Sequence, residues 1–238
     1  MTTSNYSRVT GLTEFTEEEL AQLIIDTEKP YSQQTERTIH ILLKGKRMAC
    51  EWSTKDFENF FGVRYLSHLR FSDLATLKDA IQNSPWILRK SRWGEENRQM
   101  AVKYQLELQK GYVADITIGW IDDDLGFGVF AQKDIPSGAY IGEYTGLVRR
   151  FSRWRPDSNA YCFQYSTKFW TWKNFVIDAF KEGNELRFIN HSEDPNLKPA
   201  CIVDRGLLHF VFFSSELIPA GTELTFNYGP DFWRHRRM

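Results

Sequence analysis

Apolar and polar positions follow different periods in the two parts of the chain. Up to about residue 112, apolar residues recur at the three- and four-residue spacing of one buried helix face. Such runs are Leu20, Leu23 and Ile24; Leu74, Leu77 and Ile81; and Ala101, Tyr104 and Leu108. The pattern predicts a mostly helical amino-terminal region over residues 1–112.

From residue 113 the pattern changes to short segments rich in β-branched and aromatic residues. These segments span residues 115–118, 140–144, 175–177 and 207–213. Turn-forming residues separate them, for example in Pro136-Ser137-Gly138. The whole chain is therefore predicted to be an α+β protein whose carboxy-terminal part is β-rich.

The composition narrows the classes of function. With 238 residues, of which 42% are hydrophobic, the chain can bury a substantial core. Its 30 basic and 31 acidic residues give a formal charge of -1, which argues against direct nucleic-acid binding. No apolar run approaches the ~20 residues that span a bilayer, so we expect no membrane partner. A strip of arginines is interpreted as a solvated helix face rather than as a nucleic-acid-binding site. It consists of Arg149, Arg150, Arg153 and Arg155.

Cysteine and histidine usage argues against metal and disulfide chemistry. Cys50, Cys162 and Cys201 lie far apart, and none belongs to a Cys-x-x-Cys pair. The histidines outside the motifs described below are scattered, and we predict no metal site. Three reduced cysteines fit a reducing compartment, and the amino terminus lacks the apolar segment of a secretory signal.

Four separated segments carry the candidate chemistry. Gly126-Phe127-Gly128 lacks two Cβ atoms, so its backbone can approach a ligand closely, although such glycines also form β-bulges. The second segment is Glu143-Tyr144-Thr145-Gly146, and the third runs from Arg187 to Asn196 around Asn190-His191. The fourth, Glu223 to Gly229, alternates so that apolar residues share one face. Taken singly, each segment is typical of structural residues.

Together, the order and spacing of the four segments resemble the SET domain, the protein lysine methyltransferase family. The resemblance runs from about Thr117 to Gly229. It implies a fold of short sheets with a knot-like crossing over residues 113–229, and a short lid or tail over residues 230–238. It also implies S-adenosylmethionine as cofactor and a protein substrate, either a histone or another basic protein.

The same resemblance assigns roles to individual residues. The positions implied to bind the cofactor are Gly126, Phe127, Gly128, Tyr161, Asn190 and His191. Tyr228 matches the catalytic tyrosine, and we place Tyr144 and Phe226 beside it as walls of a lysine tunnel. Phe226 stands where the family has either phenylalanine or tyrosine, which implies a dimethyl- or trimethyl-lysine product.

Two departures from the family pattern concern the lid. Glu193 stands where the family often has cysteine, and the nine residues after Gly229 contain none. We therefore expect no zinc-bound segment after the domain and expect another group to cover the cofactor. Phe232 or Trp233 can stack on adenine or form a simple hydrophobic lid, and we assign Trp233 to the cofactor site.

Several alternatives stay open from the sequence. One is a SET-fold module that binds a peptide or the cofactor without turnover, and another is a methyltransferase of a non-histone protein. The helical region can dock substrate, pair two chains as a homodimer or serve delivery. The compact chain resembles SET proteins of bacteria and viruses, which implies the cytoplasm of the producing cell, or a host nucleus if it is a delivered effector.

Overall fold

The structure, a computed structural model, describes residues 37–83, 92–151, 159–165, 174–204 and 207–234. The strands are β1 (Ile39–Leu42), β2 (Cys50–Trp52), β3 (Arg64–Tyr65), β4 (Arg70–Phe71), β5 (Ile116–Trp120), β6 (Phe127–Ala131), β7 (Tyr140–Glu143), β8 (Leu147–Phe151), β9 (Cys162–Tyr165), β10 (Asn174–Asp178), β11 (Glu182–Gly183), β12 (Asn190–His191), β13 (Leu197–Asp204), β14 (Leu207–Ser214) and β15 (Glu223–Phe226). The helices are α1 (Thr54–Phe61), α2 (Leu74–Asn83), α3 (Arg92–Lys103), α4 (Gln105–Lys110) and α5 (Pro230–Arg234), with one 3₁₀ turn at Glu185–Phe188.

The strands form several small sheets. The largest has six strands in the order β12-β15-β6-β5-β1-β2, and a second has the order β4-β8-β10-β9. Three strands pair as β13-β14-β7, and β11 pairs with β3. The prediction of an α+β protein with short sheets is confirmed.

The amino-terminal region contributes strands that the sequence analysis did not predict. β1 pairs in parallel with β5, β3 with β11, and β4 with β8. These strands are two to four residues long, too short to show a period-two pattern. The described part of residues 1–112 therefore contains both helices and strands, and its strands extend the sheets of residues 113–229. The helix predicted around Leu20 lies outside the described residues.

The predicted apolar run ending at Leu108 forms α3 and α4, which cover the sheet β13-β14-β7. Leu108 packs there with Tyr140, Ile202 and Val211. The buried Asn97 of α3 hydrogen-bonds to the outer edge of β13, where no further strand among the described residues pairs. Its Nδ2 donates to the Cys201 carbonyl at 2.6 Å. Its Oδ1 accepts from the Val203 N–H at 2.9 Å. Both backbone groups at this sheet edge are thereby satisfied.

The arginine strip is a strand where the structure describes it, and the helix interpretation is wrong there. Arg149 and Arg150 lie on β8. Each pairs with a carboxylate of its own chain, Asp178 at 2.8 Å and Asp79 at 2.6 Å respectively. Arg153 and Arg155 lie outside the described residues.

The described ranges show no group of three or more histidine, cysteine, aspartate or glutamate side chains that could hold a metal. The three cysteines are free thiols. No helix among the described residues is long and apolar enough to cross a membrane.

Candidate active site

Asn190 is the polar centre of the candidate site. It lies on β12, at the edge of the six-stranded sheet, opposite Thr225 of β15. Its Nδ2 donates to Glu223 Oε1 at 2.9 Å and to the Phe127 carbonyl at 3.2 Å. These two acceptors use both amide hydrogens and fix the orientation of the side chain. Asn190 Oδ1 accepts no hydrogen bond from the described residues and is left as an acceptor.

Gly128 provides the space in which Asn190 and Glu223 meet. A Cβ at this position would lie 2.7 Å from Glu223 Oε1 and 3.1 Å from Asn190 Nδ2. It would also lie 2.6 Å from the Ile121 side chain. Any side chain larger than hydrogen would therefore disturb the Asn190–Glu223 contact.

The other two residues of the glycine motif, Gly126 and Phe127, shape the turn and the packing around it. Gly126 has a φ of +74°, and its N–H donates to the Asp122 carbonyl at 2.9 Å, which closes the turn before β6. The ring of Phe127 packs against Phe61 and Trp120 in the interior, with centroids 5.1 and 5.2 Å away. Only the backbone of this motif therefore faces Asn190.

His191 links β12 to the segment that follows β15. Its Nδ1 accepts from the Tyr228 N–H at 3.1 Å, so the ring hydrogen lies on Nε2 in the neutral form. Nε2 then donates to Glu193 Oε1 at 3.2 Å. The ring of Trp233, on α5, packs edge-on against His191 with centroids 5.0 Å apart. The predicted lid residue thus contacts His191 of the Asn190-His191 strand.

Tyr228 lies beside this strand with its hydroxyl held in place. The hydroxyl donates to the Ile189 carbonyl at 2.8 Å. Its ring packs between Phe226, at 4.7 Å, and Phe232, at 4.4 Å. Because the hydroxyl hydrogen is directed at Ile189, the oxygen presents acceptor lone pairs, and not a donor, to a group that approaches it.

Four rings form what we call the aromatic group: Tyr144, Phe163, Phe226 and Tyr228. Phe163 lies 4.6 Å from Tyr144 and 5.3 Å from Phe226 and so joins the three predicted tunnel residues. Burial raises the pKa of Tyr144 well above its ordinary value. Its hydroxyl therefore stays protonated and donates to the Tyr161 carbonyl at 3.0 Å.

Tyr161 joins the site from the other side of the aromatic group. Its carbonyl accepts from Tyr144, and the Arg187 guanidinium lies 4.0 Å from its ring centroid. It also contacts Asn159, Ala179 and Phe180. None of those contacts reaches Asn190 or His191. The structure thus brings Asn190, His191, Gly128, Phe226, Tyr228 and Trp233 into one connected set, with Tyr144 and Tyr161 adjoining it through Phe163.

Three residues of the site were missed by the sequence analysis. Glu223 orients Asn190, Phe163 completes the aromatic group, and Arg187 supports Tyr161. Glu223 begins the fourth motif, where alternation places it on the face opposite Leu224. That position is the signal that could have identified it.

The comparisons with known proteins concern the same part of the chain. The family model described as the SET domain matches residues 126–229, which confirms the resemblance of the four motifs. Histone-lysine N-methyltransferase EHMT1 of Homo sapiens is 37% identical over 115 residues, 46% of this chain and 9% of that protein. Histone-lysine N-methyltransferase SETD2 of Mus musculus is 33% identical over 127 residues, 50% of this chain and 5% of that protein.

A solved complex of KRYPTONITE with mCHH DNA, an H3(1-15) peptide and SAH is also similar. It is 33% identical over 51% of this chain and 24% of that chain, with a TM-score of 0.42. The chain therefore spans a small part of the length of each of these relatives.

Proposed function

Because the chain carries a SET domain over residues 126–229, we propose that it is a protein lysine methyltransferase that uses S-adenosylmethionine. The observation that carries this proposal is the fixed hydroxyl of Tyr228, held 2.8 Å from the Ile189 carbonyl between the aromatic group and Asn190-His191. The Tyr228 oxygen is thereby an oriented hydrogen-bond acceptor, and the rings beside it suit the aliphatic part of a lysine side chain.

The residues around Asn190 fit the methyl donor. Asn190 Oδ1 suits an ammonium group, because its orientation is fixed by two donated hydrogen bonds. The absence of a side chain at Gly128 keeps that arrangement in place. His191 and Trp233 offer flat surfaces at the lid, which suit a purine ring. When bound, S-adenosylmethionine supplies a sulfonium methyl group, and its transfer forms a nitrogen–carbon bond and breaks a sulfur–carbon bond.

The task of the protein is to align the amine nitrogen with that bond. The Tyr228 oxygen accepts one amine hydrogen, so the nitrogen lone pair is directed away from the hydroxyl. The Ile189 carbonyl fixes this hydroxyl without a base, and burial keeps the neighbouring Tyr144 hydroxyl neutral. The geometry of these two tyrosines is thereby set before substrate binds.

The amine must lose a proton before it attacks. A free lysine has a pKa near ~10.4 and is almost wholly protonated at neutral pH. The aromatic group provides apolar surroundings, with Phe226 only 2% exposed, which lower the pKa of an entering amine. The same rings tolerate the cation on entry through cation–π attraction. Water can then take the proton.

The substrate that we propose is a lysine side chain of a histone or another basic protein. The names of the two curated relatives support a histone. We test this by incubating the protein with radiolabelled S-adenosylmethionine and mixed histones, with a separate set of basic non-histone proteins alongside. Transfer to neither set, together with no measurable donor binding, would overturn the proposal. A homodimer through residues 1–112 and the cellular location remain predictions.

Phe226→Tyr is expected to shift the product toward monomethyl-lysine. Phe226 packs against Phe163, Phe212 and Tyr228, so an added hydroxyl occupies space beside the amine and offers it another hydrogen bond. That bond holds the amine in an orientation that leaves less room for further methyl groups. Mass spectrometry of a modified histone peptide measures the ratio of methylation states. Unchanged product states in this variant would refute the assignment of Phe226.

Trp233→Ala is expected to weaken donor binding about fivefold, because it removes a ring stacked near the site. Trp233 is 36% exposed and packs on His191, so its loss should change the melting temperature little. Calorimetric titration with S-adenosylhomocysteine gives the Kd. Trp233→Phe is the conservative control and should retain most of the affinity. Equal binding by wild type and Trp233→Ala would remove Trp233 from the cofactor site.

A further inference from the structure

Tyr161 is held by a hydrogen-bonded network that begins at the end of β10. We propose that Asp178 and Asn159 are positioning residues. They set the place of Tyr161, which the family resemblance assigns to the cofactor, and thereby of the Tyr144 hydroxyl. This inference rests on the proposed function and names the residues that prepare its donor site.

The Asp178 carboxylate accepts hydrogen bonds from three donors. Its Oδ2 accepts from Arg149 Nε at 2.8 Å, and its Oδ1 accepts from Asn159 Nδ2 at 2.7 Å. The same Oδ1 accepts from the Phe180 N–H at 3.0 Å, which fixes the turn after β10. The Asp178 side chain is 16% exposed and the Arg149 side chain 28%, so water screens these contacts only in part.

Asn159 links the Asp178 carboxylate to the backbone of Tyr161 through hydrogen bonds. With its Nδ2 directed at Asp178, its Oδ1 accepts from the Tyr161 N–H at 2.9 Å. The Tyr161 carbonyl in turn accepts from the Tyr144 hydroxyl and from the Ala179 N–H, both at 3.0 Å. Every polar backbone atom of Tyr161 is therefore bound to a group whose place depends on Asp178 or on the turn after it.

The ring of Tyr161 is fixed by the same turn. Arg187 donates to the Ala179 carbonyl at 2.8 Å and to the Phe180 carbonyl at 3.2 Å. These bonds place its guanidinium 4.0 Å from the centroid of the Tyr161 ring. Arg187 is 8% exposed, and a charge buried this far holds its acceptors firmly. The backbone and the ring of Tyr161 thus depend on one short segment, Asp178 to Phe180.

Two features separate this network from ordinary packing. It reaches Tyr161 through directional bonds, and it ends on the hydroxyl of a tyrosine of the aromatic group. A loss of Asn159 therefore moves Tyr161 and Tyr144 relative to Asn190 without opening the hydrophobic core. We expect donor binding to suffer most, while substrate binding changes less, because Phe226 and Tyr228 of the aromatic group keep their places.

The test measures donor binding apart from turnover. Asn159→Ala is expected to raise the Kd for S-adenosylhomocysteine about tenfold in calorimetric titration, since it removes hydrogen bonds on both sides of the residue. The KM for S-adenosylmethionine should rise in parallel, and the KM for a histone peptide should stay within about twofold. A structural role alone would lower the melting temperature without this difference between the two KM values.

Exchanging the two side chains between positions 159 and 178 tests whether donor binding can be restored. Asp178→Asn and Asn159→Asp should each weaken donor binding, because the first loses the carboxylate and the second places two carboxylates together. Combined, they restore the bond between the two side chains, since an amide at 178 donates to a carboxylate at 159. The carboxylate still accepts from the Tyr161 N–H. The double variant has the composition of the wild type, but its amide nitrogen stands where Oδ1 accepts from the Phe180 N–H. It should therefore recover part of the donor affinity and bind the donor more tightly than either single variant.

Asp79→Ala is the matched control, because Asp79 pairs with Arg150, the next residue of β8, at 2.6 Å and lies on α2. It should leave the Kd for S-adenosylhomocysteine unchanged. Donor binding by Asn159→Ala equal to wild type, an equal loss in Asp79→Ala, or a double variant no better than the singles would each overturn the inference. A wild-type protein that binds no donor would overturn the proposed function itself.

Discussion

Tyr228→Phe is expected to lower kcat for histone methylation by about a hundredfold, since one oriented polar group at a reacting centre is commonly worth that much. The variant keeps the ring that packs between Phe226 and Phe232. It loses the oxygen that donates to the Ile189 carbonyl and that we propose as the acceptor of the amine hydrogen. Labelled methyl transfer at saturating donor and peptide measures kcat, and the Kd for S-adenosylhomocysteine should change by less than about threefold.

Tyr65→Phe is the control for this variant. Tyr65 is a buried tyrosine whose hydroxyl donates to Glu185 Oε2 at 2.8 Å, apart from the aromatic group. The loss of this hydroxyl should destabilise the fold by about 1.5–3 kcal/mol, because it bonds to a buried carboxylate, without changing kcat at a temperature where the protein is folded. Equal background signals from wild type and Tyr228→Phe would instead favour a module that binds without turnover. Equal losses in Tyr65→Phe and Tyr228→Phe would assign the effect to the fold.

The candidate site could be predicted to the level of its motifs, and its contacts could not. Each motif is local, so a few consecutive residues identify it. The bond between Asn190 and Glu223 joins residues 33 positions apart, and that between Asn190 and Phe127 joins residues 63 apart. Hydrophobic periodicity carries no information on pairs this distant, since it reports only which face of an element is buried.

The fold was predicted less well in the amino-terminal region for a related reason. β3 and β4 have two residues each and are strands only because β11 and β8 lie beside them. The start of α1 did carry a local signal. Ser53 Oγ accepts from the Asp56 N–H at 3.1 Å, and Asp56 accepts from the Ser53 N–H at 3.0 Å. Pairing across the chain, and not local preference, decides which of these segments become strands.

Gly128→Ala is expected to abolish most donor binding, with a rise of at least about tenfold in the Kd for S-adenosylhomocysteine from the loss of an oriented polar contact. The new methyl group would lie 2.7 Å from Glu223 Oε1 and 3.1 Å from Asn190 Nδ2, so one of these groups must move. The Asn190 amide then loses an acceptor that fixes its orientation. We expect a destabilisation of about 1–3 kcal/mol from overpacking, measured by denaturant unfolding.

Gly119→Ala separates the loss of the site from the cost of overpacking. Gly119 lies directly opposite Gly128 in the β5–β6 pair, and its added Cβ would meet the Phe130 ring at 2.8 Å. It should therefore destabilise the same sheet by a similar amount without touching Asn190. If Gly119→Ala lost donor affinity as strongly as Gly128→Ala, the effect would follow from sheet distortion. If Gly128→Ala bound donor like the wild type, then the orientation of Asn190 would not be what the donor requires.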